Sequence, residues 1–336
     1  MWWESLKIDF VLAWVDGSDK SWQEIKKKYD TEKKTANNNE SRYRDWNQLK
    51  YWFRGVEKFA PWVNKIYFVT CGQKPEWLDE NNPKIVLVNH KDYMKEDYLP
   101  TFSANPIELN FHRIKGLSEH FVYFNDDMFI INPVKEGDFF KNGLPCDSYC
   151  ESPLFMYGAG SSFPYMLVND SEIIAKHFNK REYIKKNLFK YLNIKYGLKS
   201  NITNLFMMRY KQFSGFSYPH IPSSFLKSTY EEVWNNEEEV LDSVSKNKFR
   251  TNNDVNQYIF KAWQYCTGKF MPRSLKFGDN IPITNENSKL IKTIKGSRYK
   301  VLCINDSSNI KDFEKTRNEI NMAFEEKFKD KSSFEK

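Results

Sequence analysis

The chain has 336 residues, with 40% hydrophobic and 17% aromatic side chains and a net charge of +7. This length allows one large domain or two modest ones with a sizeable apolar core. The charge is small for the length and its basic residues are dispersed among acidic ones, so a nucleic-acid-binding protein is not expected. No apolar run approaches the roughly 18 residues of a membrane-spanning helix, and the predicted location is the cytoplasm.

Strands and helices alternate along the chain. Apolar runs predict strands at residues 8–15, 66–70, 85–90, 121–124 and 299–306. Helical spacing predicts helices over 42–59, from Pro106 with Asn105 as its cap, over 171–196, 229–245 and 253–265, and over 310–328. This alternation predicts one α/β unit. Its Rossmann-like sheet core is expected over about 1–135 and 295–336, with a helical insertion over about 136–294.

The segment FVYFNDDMFIINPV, residues 121–134, is interrupted by two adjacent carboxylates. Asp126 and Asp127 stand between apolar runs, where neighbouring anions repel each other and lose hydration. A bound Mg²⁺ or Mn²⁺ removes that repulsion, and carboxylates at a strand end can hold such an ion against a diphosphate. The alternative interpretation is one buried capping aspartate and one solvated aspartate.

Another carboxylate follows the first predicted strand, in the sequence WVDG at residues 14–17. Ligands of open α/β sheets collect at the carboxyl ends of strands, so Asp16 is expected near the Asp126–Asp127 turn. A carboxylate there can hold a ribose or a base edge, and Trp14 can stack on a sugar or a base. The alternative is an ordinary Asp-Gly turn.

Glu108, His112 and Arg113 occur together in IELNFHRIKG. On a helix, Glu108 and His112 are four positions apart and share one face. The carboxylate can then orient the imidazole or accept a proton. A surface salt bridge is the alternative interpretation.

Four further polar residues of interest lie in the second half of the chain. His220 stands in YPHIP and Arg250 in KFRTNND, where a guanidinium can bind phosphate through two nitrogens. Asn305-Asp306 ends the last predicted strand and offers oxygen ligands. A purely structural histidine is the alternative for His220. The chain contains no GxGxxG and no GxxxxGK[ST], which argues against a dinucleotide oxidoreductase and a P-loop NTPase.

Together and in this order, these clusters resemble the Stealth family of sugar-phosphate transferases. Four blocks carry the resemblance: IDFVLAWVDGSD (8–19), RYRDWNQLKYWFRG through FVYFNDDMFI (42–130), PHIP through KFRTNNDV (219–255) and VLCINDSSN to the end (301–336). The family includes bacterial capsule and cell-wall polysaccharide phosphotransferases. The resemblance implies a single catalytic domain with a glycosyltransferase A-like fold.

The reaction that the resemblance implies is transfer of a sugar-1-phosphate from a UDP-sugar to a hydroxyl of an acceptor glycan. The product is a phosphodiester and the leaving group is UMP. A metal-dependent glycosyltransferase that uses the same carboxylates would release UDP, and this is the nearest alternative. A carbohydrate-binding module with a structural Ca²⁺ at the carboxylate pair is an alternative of another class.

The site residues are assigned on the same resemblance, with Mg²⁺ or Mn²⁺ as the cofactor. The expected catalytic residues are Glu108, Asp127, His220, Arg250 and Arg113. The expected metal ligands are Asp127, Asp126 and Asp306. The expected substrate-binding residues are Trp14, Asp16, Arg44, Asp45, Asn105 and Asn305. Either Glu108 or His220 is expected to deprotonate the acceptor hydroxyl.

The expected partners are a UDP-sugar donor and an oligosaccharide or lipid-linked acceptor. A lipid-linked acceptor would bring the protein to the inner face of the cell membrane. There the surface lysines, with Trp2 and Trp3, would make a peripheral contact.

Overall fold

The computed structural model describes residues 6–30, 43–156, 161–307 and 309–336. Trp2 and Trp3 lie outside the described residues. The strands are β1 (Ile8–Ala13), β2 (Ile66–Thr70), β3 (Ile85–Asn89), β4 (His120–Asn125), β5 (Met128–Ile130), β6 (Phe140–Lys141), β7 (Leu144–Asp147), β8 (Ser223–Leu226), β9 (Met271–Pro272), β10 (Gly278–Asn280) and β11 (Val301–Cys303). The helices are α1 (Lys20–Tyr29), α2 (Leu49–Phe59), α3 (Ala104–Leu109), α4 (Glu136–Phe139), α5 (Phe163–His177), α6 (Lys180–Tyr191), α7 (Gly197–Met207), α8 (Lys227–Asn236), α9 (Glu238–Ser245), α10 (Tyr258–Thr267), α11 (Ser288–Lys295) and α12 (Phe313–Lys327).

Five strands form the central sheet, in the order β3-β2-β1-β4-β8. The first four are parallel, and β8 pairs antiparallel with β4 at the edge. Because helices cover both faces, β1 is buried along almost its whole length and reads as a continuous apolar run. The predicted α/β class with a mainly parallel sheet is confirmed. Strand β8 lies within the range expected as a helical insertion, so that range also contributes to the sheet.

Two apolar cores lie on opposite faces of this sheet. Phe10 and Leu12 of β1 point to one core, which α2, α11 and α12 cover. Val11 points to the other, which α8, α9 and α10 cover. Gly55 lets α2 approach β5 closely, since a Cβ at this position would lie 2.6 Å from the carbonyl oxygen of Ile130.

A smaller sheet brings the C-terminal segment to the acidic turn. Strand β11 pairs parallel with β10 and antiparallel with β5, which follows Asp127 directly. The N–H of Ile304 donates to the carbonyl oxygen of Asp127 at 2.8 Å. Residues 304–307 therefore lie beside the turn between β4 and β5.

Two predicted helices begin elsewhere than expected. The helix predicted over 42–59 begins at Leu49, because Asn47 has a positive φ of 55° and its N–H donates to the side chain of Asp45. Helix α3 is capped by Ser103, not by Asn105, since the Ser103 hydroxyl accepts from the N–H of Asn105. Residues 43–48 are thus an irregular segment that precedes α2.

Other helical predictions were too long. The segment 171–196 contains the end of α5 and all of α6, and 229–245 contains most of α8 and all of α9. Helix α3 ends at Leu109, and His112 belongs to a separate 3-10 turn, Phe111–Arg113, so Glu108 and His112 do not share a helical face. Within the described ranges, no helix combines the length and the apolar character needed to cross a membrane.

Candidate active site

A cleft of about 780 Å³ opens at the carboxyl ends of the parallel strands. Ala13 and Asn125 end β1 and β4 there, and Cys71 and His90 follow β2 and β3. The predicted site residues in its lining are Trp14, Arg44, Asp45, Asp126, Asp127, His220, Arg250, Asn305 and Asp306. This placement agrees with the general location of ligands in open parallel sheets.

The carboxylate pair forms the turn between β4 and β5. Oδ1 of Asp127 is buried and has no hydrogen-bond partner among the described residues. The Asp126 side chain is exposed to the cleft, yet surrounding protein atoms displace part of its hydration. This desolvation, followed by the negative charges of Asp127 and Asp45, raises the pKa of Asp126 to about 7. The repulsion expected from the sequence is therefore present, and a bound cation would relieve it.

A set of metal donors surrounds Asp127. One ligand atom each from Asp127, His220 and Cys303 lies within 4.8 Å of the others. Burial raises the pKa of the Cys303 thiol well above its ordinary value. A soft sulfur donor is also poorly suited to a hard cation such as Mg²⁺. The unpartnered oxygen of Asp127 is the kind of donor that Mg²⁺ and Mn²⁺ prefer. The residues present therefore fit a divalent cation at Asp127, close to the negative charge of Asp126.

Asp306, expected as a metal ligand, is engaged by Arg44 in the structure. The guanidinium donates from Nη2 to Oδ1 at 3.0 Å and from Nε to Oδ2 at 3.1 Å. Arg44 also donates to the carbonyl oxygen of Ser307 at 2.9 Å. This pair ties the irregular segment 43–48 to the C-terminal segment and builds the cleft wall between them.

Glu108 lies behind the cleft wall rather than in it. Its side chain is buried, and Oε1 accepts from the hydroxyl of Tyr123 at 2.9 Å. Burial raises the pKa of Glu108 to about 7, although the positive charge of Arg250 and of a protonated His220 opposes the shift. Tyr123 lines the cleft and also contacts the side chain of Asn125. Tyr123 was not predicted as a site residue, although it carries the one hydroxyl in the apolar run FVYF and lies two residues before Asn125.

A tyrosine holds His220 in place. Nδ1 of His220 lies 3.2 Å from the hydroxyl of Tyr258, whose ring stacks on Tyr218 with centroids 4.4 Å apart. Nε2 lies 3.7 Å from Oδ2 of Asp127. When Nδ1–H donates to the Tyr258 hydroxyl oxygen, the neutral ring carries its free lone pair on Nε2, the nitrogen nearer Asp127. The imidazole thus sits between an orienting hydroxyl and a carboxylate.

Asn105 organises the segment that carries Arg250. The Asn105 side chain is buried and its Nδ2 donates to Oδ2 of Asp254 at 2.8 Å. Asp254 also accepts from the hydroxyl of Thr251 at 2.6 Å and from Nδ2 of Asn247 at 2.8 Å. Asn105 therefore supports Arg250 from behind and does not itself line the cleft.

Arg113 and Asp16, like Glu108 and Asn105, are not in the cleft lining. The Arg113 guanidinium lies over the ring of Trp234, 4.2 Å from its centroid. Asp16 accepts from the N–H of Ser18 at 2.8 Å, and its own N–H donates to Gln73 at 2.9 Å. The geometry at Asp16 is therefore that of an ordinary Asp-Gly turn, the alternative to a ligand-binding carboxylate. Trp14, two residues earlier, does line the cleft.

Comparison with known proteins shows which family models and which proteins this chain resembles. Residues 6–34 match the model of Stealth protein CR1, conserved region 1, and residues 42–146 match Stealth protein CR2, conserved region 2. A capsular polysaccharide phosphotransferase WcwK from Streptococcus pneumoniae is 44% identical over 98% of both chains. A receptor polysaccharide phosphotransferase WefC from Streptococcus oralis is 45% identical over 98% of this chain and 99% of its own. The galactosyltransferase LgtC aligns over 94% of this chain and 95% of its own, with 9% identity and a TM-score of 0.40.

The chain has an α/β fold with a mainly parallel sheet, and its carboxylate-lined cleft lies at the carboxyl ends of the strands, where such folds bind ligands. The similarity of this chain to these relatives over almost its whole length shows the family to which it belongs. The chain belongs to the Stealth family. The predictions of a Stealth protein and of a transferase are confirmed.

Proposed function

We propose that this chain transfers a sugar-1-phosphate from a UDP-sugar to a hydroxyl of an acceptor glycan, in the synthesis of a capsule or another cell-surface polysaccharide. Relatives that are polysaccharide phosphotransferases support a transfer of this class. The observation that carries the proposal is the unpartnered oxygen of Asp127, beside Asp126 in a cleft that also presents Arg250. Anionic metal donors facing a guanidinium meet the needs of phosphoryl transfer.

In the proposed reaction, the acceptor hydroxyl oxygen attacks the phosphorus that carries the sugar. A new P–O bond forms to the acceptor, and the bond from this phosphorus to the bridging oxygen of the diphosphate breaks. UMP leaves with the electron pair of that bond, and the hydroxyl proton passes to a base of the protein. The protein mainly positions the two substrates and neutralises charge.

Asp127 would hold the divalent cation, Mg²⁺ or Mn²⁺, through its unpartnered oxygen, and Asp126 is assigned as a second ligand because its charge lies close to that of Asp127. When bound, this ion neutralises negative charge on the diphosphate. Arg250 is assigned to the phosphate oxygens, where charge increases during the transfer. The residues assigned to the wall of the nucleotide-sugar site are Trp14, Arg44, Asp45, Asn305 and Asp306.

His220 is the proposed base for the acceptor hydroxyl. It lines the cleft directly, and the Tyr258 hydroxyl orients its ring. Asp127 lies close enough to stabilise the imidazolium that forms when the ring takes up the proton. Glu108 is buried and reaches the cleft only through Tyr123, so it is assigned to positioning and not to proton transfer.

Nucleotide release tests the proposal. The protein is incubated with a panel of UDP-sugars, Mg²⁺ or Mn²⁺ and a pool of oligosaccharide acceptors, and UMP is separated from UDP. UMP that depends on protein and disappears with EDTA is the expected result. UDP as the only product would refute attack at phosphorus and indicate the glycosyltransferase alternative.

Two matched variants test whether UMP release depends on Asp127 in the cleft. D127N removes a negative charge at the unpartnered oxygen and is expected to abolish UMP release. D330N removes a negative charge from an exposed aspartate near the C-terminus and is expected to retain full activity. Equal activity of D127N and D330N would exclude Asp127 from the metal site.

A further inference from the structure

Helices α6 and α7, with the 3-10 turn between them, expose a group of large apolar side chains. Six of these side chains are at least 55% exposed and together are called the apolar face: Phe189, Ile194, Leu198, Ile202, Leu205 and Phe206. Four of them follow the spacing i, i+4, i+7 and i+8 and form one stripe along α7. The other two precede this stripe, and Ile194 reaches 91% exposure. Contiguous exposed apolar surface of this kind marks an interaction site.

Helix α7 has the reverse of the usual orientation, because its polar stripe faces the protein. Asn204 is completely buried, and its side chain accepts from the N–H of Glu151 and donates to the carbonyl oxygen of Tyr191, both at 2.8 Å. Ser200, one turn earlier, is also buried. Rotating α7 to bury Leu198 would break these hydrogen bonds and leave buried polar groups unpaired. The fold therefore holds the apolar stripe of α7 outward.

Basic side chains surround the apolar face. Residues 180–211 contain nine lysines and arginines and a single acid, Glu182. Lys180 is buried in an ion pair with Glu151, while Lys185, Lys186 and Lys199 are exposed. Interface cores between protein chains are depleted of lysine, and a two-fold dimer through this face would set like charges against each other. An anionic bilayer complements both properties, since apolar side chains enter its acyl boundary while lysines stay among its headgroups.

We propose that the apolar face docks this protein on an anionic membrane surface, with α6 and α7 lying in the interfacial plane. The segment 208–219 leads directly from α7 to His220 in the cleft wall. This segment is fixed to the body of the protein where the N–H of Ser217 donates to the carbonyl oxygen of Cys150 at 2.9 Å. Docking through the apolar face thus couples the cleft to the bilayer by a short, anchored connection. The inference stands independently of the reaction proposed above.

Vesicle co-sedimentation tests the docking. The full chain is mixed with vesicles of phosphatidylcholine alone or of phosphatidylcholine with phosphatidylglycerol. Binding is expected only to the anionic vesicles and is expected to weaken as salt is added. The combined variant F189S/I194S/L198S is expected to bind at least about tenfold more weakly, because each substitution removes apolar surface that would enter the bilayer.

A matched control and a second measurement separate docking from misfolding. Met322 on α12 is 64% exposed and lies outside the proposed surface, so M322S is expected to bind like the wild type. Hydrogen exchange of the wild-type chain with anionic vesicles is expected to show added protection at residues 180–211. The proposal is overturned if the wild type does not bind anionic vesicles, or if protection appears elsewhere. It is also overturned if the face instead mediates self-association in sedimentation experiments without lipid.

Discussion

Replacing Glu108 by glutamine is expected to stabilise the protein at neutral and alkaline pH while lowering its activity. Glu108 is buried, and desolvation raises its pKa from an ordinary value of 4.5 to about 7. At pH values between 4.5 and about 7, the Glu108 carboxyl is protonated in the folded state and ionised in the unfolded state. Stability is therefore retained below pH 4.5 and lost as the pH rises towards 7. Glutamine resembles the protonated acid and removes this loss.

The magnitude follows from the two pKa values. Their difference corresponds to about 3 kcal/mol at pH values above both, of which about 2 to 3 kcal/mol develops between pH 5 and pH 8. Glutamine retains a carbonyl oxygen that can accept from the Tyr123 hydroxyl, so that hydrogen bond is kept. E108Q is thus expected to be about as stable as the wild type near pH 5 and clearly more stable at pH 8.

Urea unfolding of both proteins at pH 5 and pH 8 measures this difference. E24Q, which removes an exposed carboxylate on α1, controls for the loss of one negative charge and is expected to follow the wild type at both pH values. A difference between E108Q and the wild type that does not grow from pH 5 to pH 8 would show that Glu108 is not held protonated by burial. A fully active E108Q would remove it from the functional site.

Four further substitutions test Asp127 as a metal ligand, the guanidinium of Arg250, the support of the Arg250 segment by Asn105, and the packing of α2 at Gly55. D127A is expected to lower UMP release by roughly 100-fold or more, and retention within about tenfold would refute its role as a metal ligand. R250A is expected to cost about 10² to 10³-fold in kcat by removing charge stabilisation at the phosphate. Asn105 supports the Arg250 segment, so N105A is expected to lower kcat while changing the KM for the donor little. An unchanged kcat would contradict that role. G55A is expected to destabilise the fold by about 1 to 3 kcal/mol in urea unfolding, because its Cβ would clash with the Ile130 carbonyl oxygen.

The alternation of strands and helices and the acidic turn between β4 and β5 could be predicted from the residues alone. Strands buried on both faces are continuous apolar runs, so β1 and β4 could be predicted from the sequence. Two adjacent carboxylates that interrupt such runs are conspicuous for the same reason, because burial of charge is costly. The resemblance to the Stealth family rested on these local patterns, and the comparisons confirm it.

The way in which residues distant in sequence come together at the cleft could not be predicted and follows from the three-dimensional fold. The engagement of Asp306 by Arg44 joins positions 262 residues apart, and the support of Asp254 by Asn105 joins positions 149 residues apart. No local pattern encodes such pairs. The separation of His112 from Glu108 follows from where α3 ends, a boundary that propensity defines poorly. The outward stripe of α7 likewise depends on Glu151 and Tyr191, whose hydrogen bonds with buried Asn204 set the orientation of the helix against the usual apolar-inward rule.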